Sequence, residues 1–313
     1  MFFNDRRTVD RPARASESSG MSKIVTATFL LVAASLTSCA VLRAGEYATE
    51  AFMRESDPAL AADAMPTMMK AAEALSLADP RSESKALTRA SLYVMYANAF
   101  LDTEAFLLPE EDYAASRLLS LRAKALYLRA SAILVPLVER KEPSIFTGDS
   151  GGGSAGGTSS TGFGKKDVPL LYWTAAAILA AFADDPMDFD NAARVAGAIT
   201  LFELAREMDP PWNGGALHEL AITIYGSLPA DLGGDRGKAR AAFALATGAT
   251  GSSSPGAFVS YAQAVCVAEG DRNGFRESLE AALSLRPRPE SALMDSLARR
   301  KAERLLADID LYF

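Results

Sequence analysis

The chain has 313 residues, of which 49% are hydrophobic and 23% are charged, and its formal net charge is −7. This composition is ordinary for a globular protein and supplies enough apolar side chains for a sizeable core. Residues 39–313 carry 27 basic and 36 acidic side chains, a net charge of −9. A mildly acidic body argues against nucleic acid as a partner and against broad adsorption to anionic lipid.

The N-terminal segment has the layout of a secretory signal. Residues 1–20 are polar and patternless, and we expect them to be a non-native or disordered extension; Met1 and Met21 both remain open as the start. From Met21, a short positive stretch leads into residues 24–36, which carry no charge. A run of thirteen uncharged, mostly apolar residues is typical of a signal-peptide core and is short for a bilayer span.

The end of this run and the next three residues, Leu-Thr-Ser-Cys at 36–39, resemble the bacterial lipobox, in which cleavage precedes the cysteine and its thiol takes the lipid. The sequence therefore predicts a lipoprotein signal peptide at 21–38 and a periplasmic protein anchored by lipid at Cys39. Ala40 follows in place of Asp, which among lipoproteins favours the outer membrane. The alternative is a buried apolar helix that contains a cysteine by chance.

The body of the chain is predicted to be all-α, because apolar residues recur with the helical period and no strand alternation is convincing. Asp167 is expected to cap one helix, with Pro169 in its first turn. Prolines at 80, 210 and 287 are expected to stop the helices before them. The predicted helices are 46–53, 59–77, 83–105, 110–138, 167–183, 189–207, 214–227, 235–247, 255–268, 271–285 and 290–311.

Helix ends near 210, 251 and 287 share an apolar spacing, and segments before three prolines read KAAEALSLADP, LFELAREMDP and LEAALSLRP. This pattern resembles the second helix of tetratricopeptide repeats. A helix pair cannot bury its apolar stripe alone, so pairs must stack. We therefore expect one domain at 39–313 that is a tetratricopeptide-like helical repeat array, an α-solenoid of helix-turn-helix pairs.

Residues 147–166 are rich in Gly and Ser and predict a flexible loop inside this domain. The loop does not match a phosphate-binding P-loop, because Ser159 stands at the first glycine position and Lys166 at the Ser/Thr position. Cys266 lies in an apolar run and predicts a buried, inert thiol.

An enzyme is not predicted. The chain has one histidine, His218, and lacks the CxxC, HExxH, GxSxG and GxGxxG motifs, so no catalytic residue, cofactor or metal ligand is assigned. The many carboxylates leave a catalytic pair open, but most fall on polar helix faces.

Two stretches concentrate aromatic and polar residues. In the first, Tyr172 and Trp173 lie in an apolar helix; in the second, Asn213 is expected to cap the next helix, whose first turns hold His218 and Glu219. One interpretation is that these side chains converge on a ligand or partner cleft, an apolar pocket with a few polar groups. The other is that each packs in the core. A further aromatic, Tyr261, is included among the candidate binding residues.

Ordered blocks of the chain resemble the T-component of TRAP transporters. They include DVPLLYWTAAAILAAF at 167–182, ELAREMDPPWNGGALHELAITIYGSLP at 203–229 and LARRKAERLLADIDLYF at 297–313. With the lipobox, the resemblance covers most of 39–313, and it departs at the Gly-rich loop.

The resemblance implies a periplasmic lipoprotein that forms homotrimers and docks the solute-binding protein of an ATP-independent, ion-driven uptake system. It also implies a channel through each protomer that can take a small hydrophobic ligand. Composition and periodicity say nothing of transport. A second interpretation is a generic tetratricopeptide-like scaffold lipoprotein in cell-envelope assembly, without a small ligand.

Overall fold

The computed structural model describes residues 49–147, 162–248, 254–286 and 288–313. The chain divides into two units, Met1–Phe52 and Met53–Phe313, and all the helices named below belong to the second. Regular secondary structure within the described ranges is helical, with no strand among them. The all-α prediction is thus confirmed.

The main helices follow one another with short connections. Two of them, α2 and α8, contain a π-helical turn in the middle. In chain order the helices are α1 (Pro58–Ala78), α2 (Glu83–Tyr96, π turn Ala97–Asp102, then Thr103–Leu107), α3 (Tyr113–Glu139), α4 (Val168–Asp184), α5 (Val195–Met208), α6 (Trp212–Ser227), α7 (Arg236–Gly248), α8 (Pro255–Tyr261, π turn Ala262–Cys266, then Val267–Glu269), α9 (Arg272–Ser284) and α10 (Ala292–Ala307). Short turns of helix lie at Glu110–Asp112, Lys165–Asp167, Phe189–Ala192, Ala230–Leu232, Pro289–Ser291 and Ile309–Leu311.

Local chemistry explains where the helices begin and end. The Asp57 carboxylate accepts hydrogen bonds from the first free N–H groups of α1, and Pro58 occupies its first position. The Asp271 carboxylate caps α9 in the same way. At the other end, α1 stops before Pro80 and α5 before Pro210, as predicted.

Several predicted helices are interrupted. The predicted helix 189–207 is wrong as one piece, because a break separates Phe189–Ala192 from α5. Asn191 is buried there and donates its amide to the Ile178 carbonyl of α4 at 3.0 Å, which fixes the short turn against α4. The predicted helix 290–311 likewise divides into α10 and two flanking 3-10 turns.

Two predicted caps are corrected. Asn213 does not cap α6: its φ of 49° is left-handed, whereas an N-cap residue is extended. Gly214 and Gly215 follow with positive φ, so α6 becomes regular only after them. Asp167 precedes α4, but its carboxylate accepts from the Gly164 N–H at 2.9 Å and from Lys141 Nζ at 3.1 Å instead of from α4.

The end of the predicted loop 147–166 belongs to the fold. Phe163 is buried, and Lys165 forms an ion pair with Asp209 at 3.1 Å. Gly162 passes so close to the Lys141 carbonyl oxygen that a Cβ there would lie 2.7 Å from it. The prediction of a loop to 166 is therefore wrong for its last residues, and 148–161 lie outside the described residues.

The helices pack against one another in chain order, and the last helix returns to contact the first two. Each of α1 to α4 packs against the next helix, α5 contacts α6, and α6 packs against both α7 and α8. The last helix, α10, packs on α8 and α9, and it also contacts α1 and Thr103–Leu107 of α2. The array therefore forms a closed ring of helices. The tetratricopeptide-like geometry of its pairs stays a prediction.

Lys165–Asp184 is long and apolar enough to cross a membrane, judged by length and composition alone. In the fold, α4 lies between α3 and α5. Its residues Val168, Leu171, Ala175 and Ile178 are fully buried. The segment is thus a core helix, and its apolar character on every side follows from having neighbours on both sides.

Candidate functional site

Four polar side chains from four different helices interact across the inside of the ring. They are Tyr172 of α4, Glu219 of α6, Lys301 of α10 and Asp102 in the π turn of α2; we call them the inner cluster. The charge of Glu219 shifts the pKa of Tyr172, and the charges of both Glu219 and Asp102 shift the pKa of Lys301. Each side chain keeps some accessible surface, yet burial is the largest influence on the pKa of every one. Such a combination is typical of groups that face an enclosed recess.

Aromatic rings form one wall beside Tyr172. Its ring lies 5.0 Å from that of Trp173, edge to face, and 4.7 Å from that of Trp212 at the start of α6. These separations are those of favourable aromatic pairs. Burial, and secondly the charge of Glu219, raise the pKa of Tyr172 above its ordinary value, so its hydroxyl stays protonated and can donate a hydrogen bond.

Glu219 stands against the first turn of α8. A Cβ at Gly256 would overlap the Glu219 carboxylate, so any side chain there would require that carboxylate to move. Burial raises the pKa of Glu219, while a hydrogen bond with Ser254 and the charge of Arg288 lower it. Arg288 is positioned by the buried Asp295. The Asp295 carboxylate accepts hydrogen bonds from Arg288 Nη2 at 2.6 Å and from Arg288 Nε at 3.1 Å.

Lys301 supplies the positive charge of the inner cluster. Burial lowers its pKa, and the charges of Asp102 and Glu219 raise it. Among the residues that the structure describes, its ammonium group has neither a hydrogen bond nor an ion pair within 4.0 Å. Its neighbour Arg300, by contrast, pairs with Glu104 at 2.8 Å.

Asp102 reaches the interior because the π turn shifts the helix register. The Thr103 hydroxyl donates to the Asn98 carbonyl oxygen at 2.9 Å across this turn. Buried Tyr127 donates to Asp102 Oδ2 at 2.5 Å, while Asp102 Oδ1 is buried and has no hydrogen-bond partner among the residues that the structure describes. Burial raises the pKa of Asp102 to about 6.

A second carboxylate, Asp184 at the end of α4, is coupled to Asp102. Burial, and then the charge of Asp102, raise the pKa of Asp184 to about 7, against the opposing charges of Arg117 and Lys124. Its Oδ2 atom is buried and accepts no hydrogen bond from the described part of the chain. Within the described ranges, no group of three or more His, Cys, Asp or Glu side chains is arranged to hold a metal ion.

Comparison of the sequence with known protein families identifies the family to which the chain belongs. The model of the TRAP transporter T-component family matches residues 54–313. The chain belongs to that family. It is also 32% identical over 271 residues to an uncharacterized protein of Treponema pallidum (strain Nichols), in an alignment that covers 85% of this chain and 83% of the relative. The family comprises accessory subunits of TRAP transport systems and is not a known enzyme family.

In this T-component, three of the predicted binding residues lie together. Tyr172 and Trp173 are in ring contact, and Glu219 acts on Tyr172 through its charge. Asn213, by contrast, is exposed at the left-handed turn that opens α6.

The other predicted residues of this T-component lie elsewhere. His218 is buried, and its Nδ1 atom has no hydrogen-bond partner within the described ranges. Burial and the charge of Arg206 on α5 lower its pKa, so it faces α5. Tyr261 stacks on Phe243 of α7 at 4.2 Å. Cys39 lies outside the described residues.

Sequence reasoning missed Trp212, Lys301 and Asp102. Trp212 stood beside a predicted residue in the PWNGG stretch, and the clustering of both tryptophans of the chain with Tyr172 could have been proposed. Lys301 and Asp102 were marked only weakly in the sequence as candidate site residues. Lys301 lies in a helix rich in charges, where one more lysine does not stand out. Asp102 interrupts an apolar run, which is a sign of burial or function.

Proposed function

We propose that this T-component is a periplasmic lipoprotein that docks the solute-binding protein of its uptake system and holds a small ligand inside the helical ring. The family match over 54–313 carries the proposal. The closed ring with polar groups directed inward supports the ligand, because a scaffold alone needs no coupled charges in its interior.

Docking is tested by purifying the tagged full chain from its own organism after chemical cross-linking and identifying partners by mass spectrometry. Recovery of a periplasmic solute-binding protein is expected. A tagged, unrelated lipoprotein of the same membrane is the control for abundant envelope proteins. Recovery of outer-membrane assembly factors alone would favour the scaffold function and would overturn docking.

Lipid attachment at Cys39 is part of the same proposal and rests on the lipobox-like residues 36–39. Cells grown with radiolabelled palmitate should label the wild-type protein and should leave Cys39→Ala unlabelled. Cys266→Ala is the matched control and should label like the wild type, because Cys266 is buried in α8. Equal labelling of the Cys39→Ala protein would rule out this anchor.

We further propose a homotrimer. Large apolar side chains lie exposed near the start of α3 and in the α4–α5 connection, and such patches mark interaction surfaces. Arg117 and Lys124 tie α3 to that connection through Asp184 and Asp185. The exposed apolar residues of this patch are Tyr113, Leu118, Leu121, Met187 and Phe189.

Sedimentation of the purified protein measures the assembly. Phe189→Lys, which places a charge on the patch, should dissociate the trimer to monomers. Leu77→Lys makes a comparable change at an exposed residue of α1 outside the patch and should leave the trimer intact. A wild-type protein that sediments as a monomer at micromolar concentration would contradict the proposal.

A further inference from the structure

Helix α1 has a second apolar face that no described element covers. Its inner face, which includes Met65, Met69 and Ala72, is buried where α1 packs against α2. On the outer face, apolar or uncharged side chains recur every three or four residues and remain exposed. We call this row the α1 stripe, and its members are Leu60, Ala64, Thr67, Ala71, Leu75 and Ala78.

The α1 stripe carries no charge along its whole length. The three charged residues of α1, Asp63, Lys70 and Glu73, fall outside it. At a rise of 1.5 Å per residue, the stripe extends for about 27 Å. Its two leucines, Leu60 and Leu75, are 57% and 56% exposed, and the alanines between them project little from the helix.

A helix face that meets only water usually has a different composition. The outer face of α9 is an example, because its exposed side chains include Arg276, Glu277 and Glu280. Single exposed apolar residues need no explanation, but an uncharged row that runs the length of a helix marks an interaction surface. The position of α1 in the chain and the charge of the domain indicate what covers it.

The position of α1 favours a membrane as the partner. Pro58, its first residue, lies 19 positions after the proposed lipid attachment site Cys39 by their numbering. A fully extended chain of that length spans about 65 Å, so the anchor keeps α1 near the bilayer surface. A tether turns the second contact into an intramolecular event. A row of two leucines and three alanines, too weakly apolar to adsorb alone, is then sufficient.

The charge of the domain favours the same face. Residues 39–313 carry a net charge of −9, so the domain as a whole is repelled by anionic headgroups. Charged side chains would also lose water on approaching lipid, which costs free energy. The uncharged α1 stripe avoids both costs, and it is therefore the face of α1 suited to contact with a bilayer.

We propose that the α1 stripe lies on the lipid bilayer that holds the Cys39 anchor, with α1 parallel to the membrane plane and Leu60 and Leu75 among the headgroups. This inference rests on lipid attachment at Cys39, which is part of the proposed function, and on neither the ligand inside the ring nor partner docking. Interfacial helices bury their apolar face about 5–10 Å deep. The competing occupant is a helix of another protein or of a second copy, which would shield the stripe without lipid.

Site-specific fluorescence in vesicles tests the contact. The lipidated protein is purified from its own membranes and reconstituted into phosphatidylcholine vesicles, with or without a lipid that carries a nitroxide near the top of its acyl chain. One residue at a time is replaced by cysteine and labelled with the environment-sensitive dye nitrobenzoxadiazole. Cys266 is 1% exposed, so the introduced thiol is the one that reacts. Flotation isolates vesicle-bound protein before each measurement.

Labels at Ala64→Cys and Ala71→Cys should shift to the blue and lose emission about twofold or more in the nitroxide vesicles, because an interfacial face lies at that depth. Lys70→Cys and Leu77→Cys are the matched controls, since both residues are exposed on the same helix outside the stripe, and their emission should not change. Adding Leu75→Glu to the Ala71→Cys protein should restore most of its emission, whereas adding Leu77→Glu should not.

Equal emission of all four labels with and without the nitroxide would overturn the proposal. A blue-shifted Ala71→Cys label that the nitroxide lipid does not quench would also overturn it and would assign the stripe to a protein helix. Protein that does not float with the vesicles lacks the lipid anchor, which overturns the lipoprotein proposal and this inference with it. Floating protein with unquenched labels overturns the membrane contact alone, so the two failures are distinct.

Discussion

Arg300 of α10 and Glu104 of α2 form an ion pair of 2.8 Å across 196 residues of sequence, at the seam where the last helix meets the second. Both side chains remain 40% or more exposed, and exposed pairs contribute little free energy. The seam is also closed by Phe106, which packs against the buried cluster that includes Ala302 and Leu305 of α10. Apolar contact should therefore dominate closure of the ring.

Phe106→Ala should lower the free energy of unfolding by about 2 kcal/mol, because it removes a partly buried aromatic from the seam. Glu104→Gln, which breaks the ion pair two residues away, should lower the free energy of unfolding by less than about 1 kcal/mol. Urea unfolding followed by circular dichroism measures both changes. The reverse order of the two effects would show that the ion pair closes the ring.

Gly226 and Ala264 set the distance between α6 and α8. A Cβ at Gly226 would lie 2.7 Å from the Ala264 Cβ and 3.0 Å from its carbonyl oxygen, so Gly226→Ala should destabilise the protein by about 1–3 kcal/mol through overpacking. Gly248→Ala is the control, because nothing lies within 4 Å of its position and the added methyl should be neutral or slightly stabilising. Equal melting temperatures for the two variants would contradict the close approach.

The positions of most helices followed from the sequence because their causes are local. The apolar period, the Asp57 cap and the prolines after α1 and α5 all act within a few residues. The break before α5 did not follow, because it depends on Asn191 reaching a carbonyl of α4. Such a tertiary hydrogen bond leaves no mark on the apolar period.

The inner cluster was only half predictable for the same reason. Tyr172 and Glu219 stand in stretches with unusual composition, which singled them out. Lys301 and Asp102 lie 199 positions apart by their numbering and interact only because the ring closes. The π turn that carries Asp102 inward was equally hidden, since its register shift is a property of packing and not of helix propensity.

Stability should depend on pH through Asp184. Its folded-state pKa of about 7 lies above the ordinary value of 3.8, so the folded protein binds more protons than the unfolded chain between these values. Stability therefore falls as pH rises through that window. Asp184→Asn removes the titrating group. The free energy of unfolding of this variant, relative to that of the wild type, should therefore rise by about 1–2 kcal/mol from pH 5 to pH 8.

Thermal unfolding at the two pH values tests this prediction. Asp190→Asn is the control, because Asp190 is exposed on the same connection and its loss should leave the pH dependence of the wild type unchanged. A constant difference between Asp184→Asn and the wild type from pH 5 to pH 8 would mean that Asp184 has an ordinary acidity in the folded protein.

The thiol of Cys266 should be inert in the folded protein. It is 1% exposed, and burial raises its pKa to about 11, so both access and thiolate formation are suppressed at pH 8. In a Cys39→Ala background, a disulfide reagent should label Cys266 only at the rate at which the protein opens. Rapid labelling in buffer, equal to that in 6 M guanidinium, would show that α8 is open.

Tyr172→Ala and Trp173→Ala should weaken folding more than docking of the partner. The two rings contact each other, and Tyr172 also contacts Trp212 of α6, so truncation of either removes aromatic packing at a cost of about 2–4 kcal/mol. We expect the proposed docking of the solute-binding protein to depend on other residues, so capture should persist in the variants that stay folded. Melting temperature and capture of the solute-binding protein, measured on the same samples, separate the effects. A folded, monodisperse double variant that no longer captures the partner would place these aromatic residues in the docking surface instead.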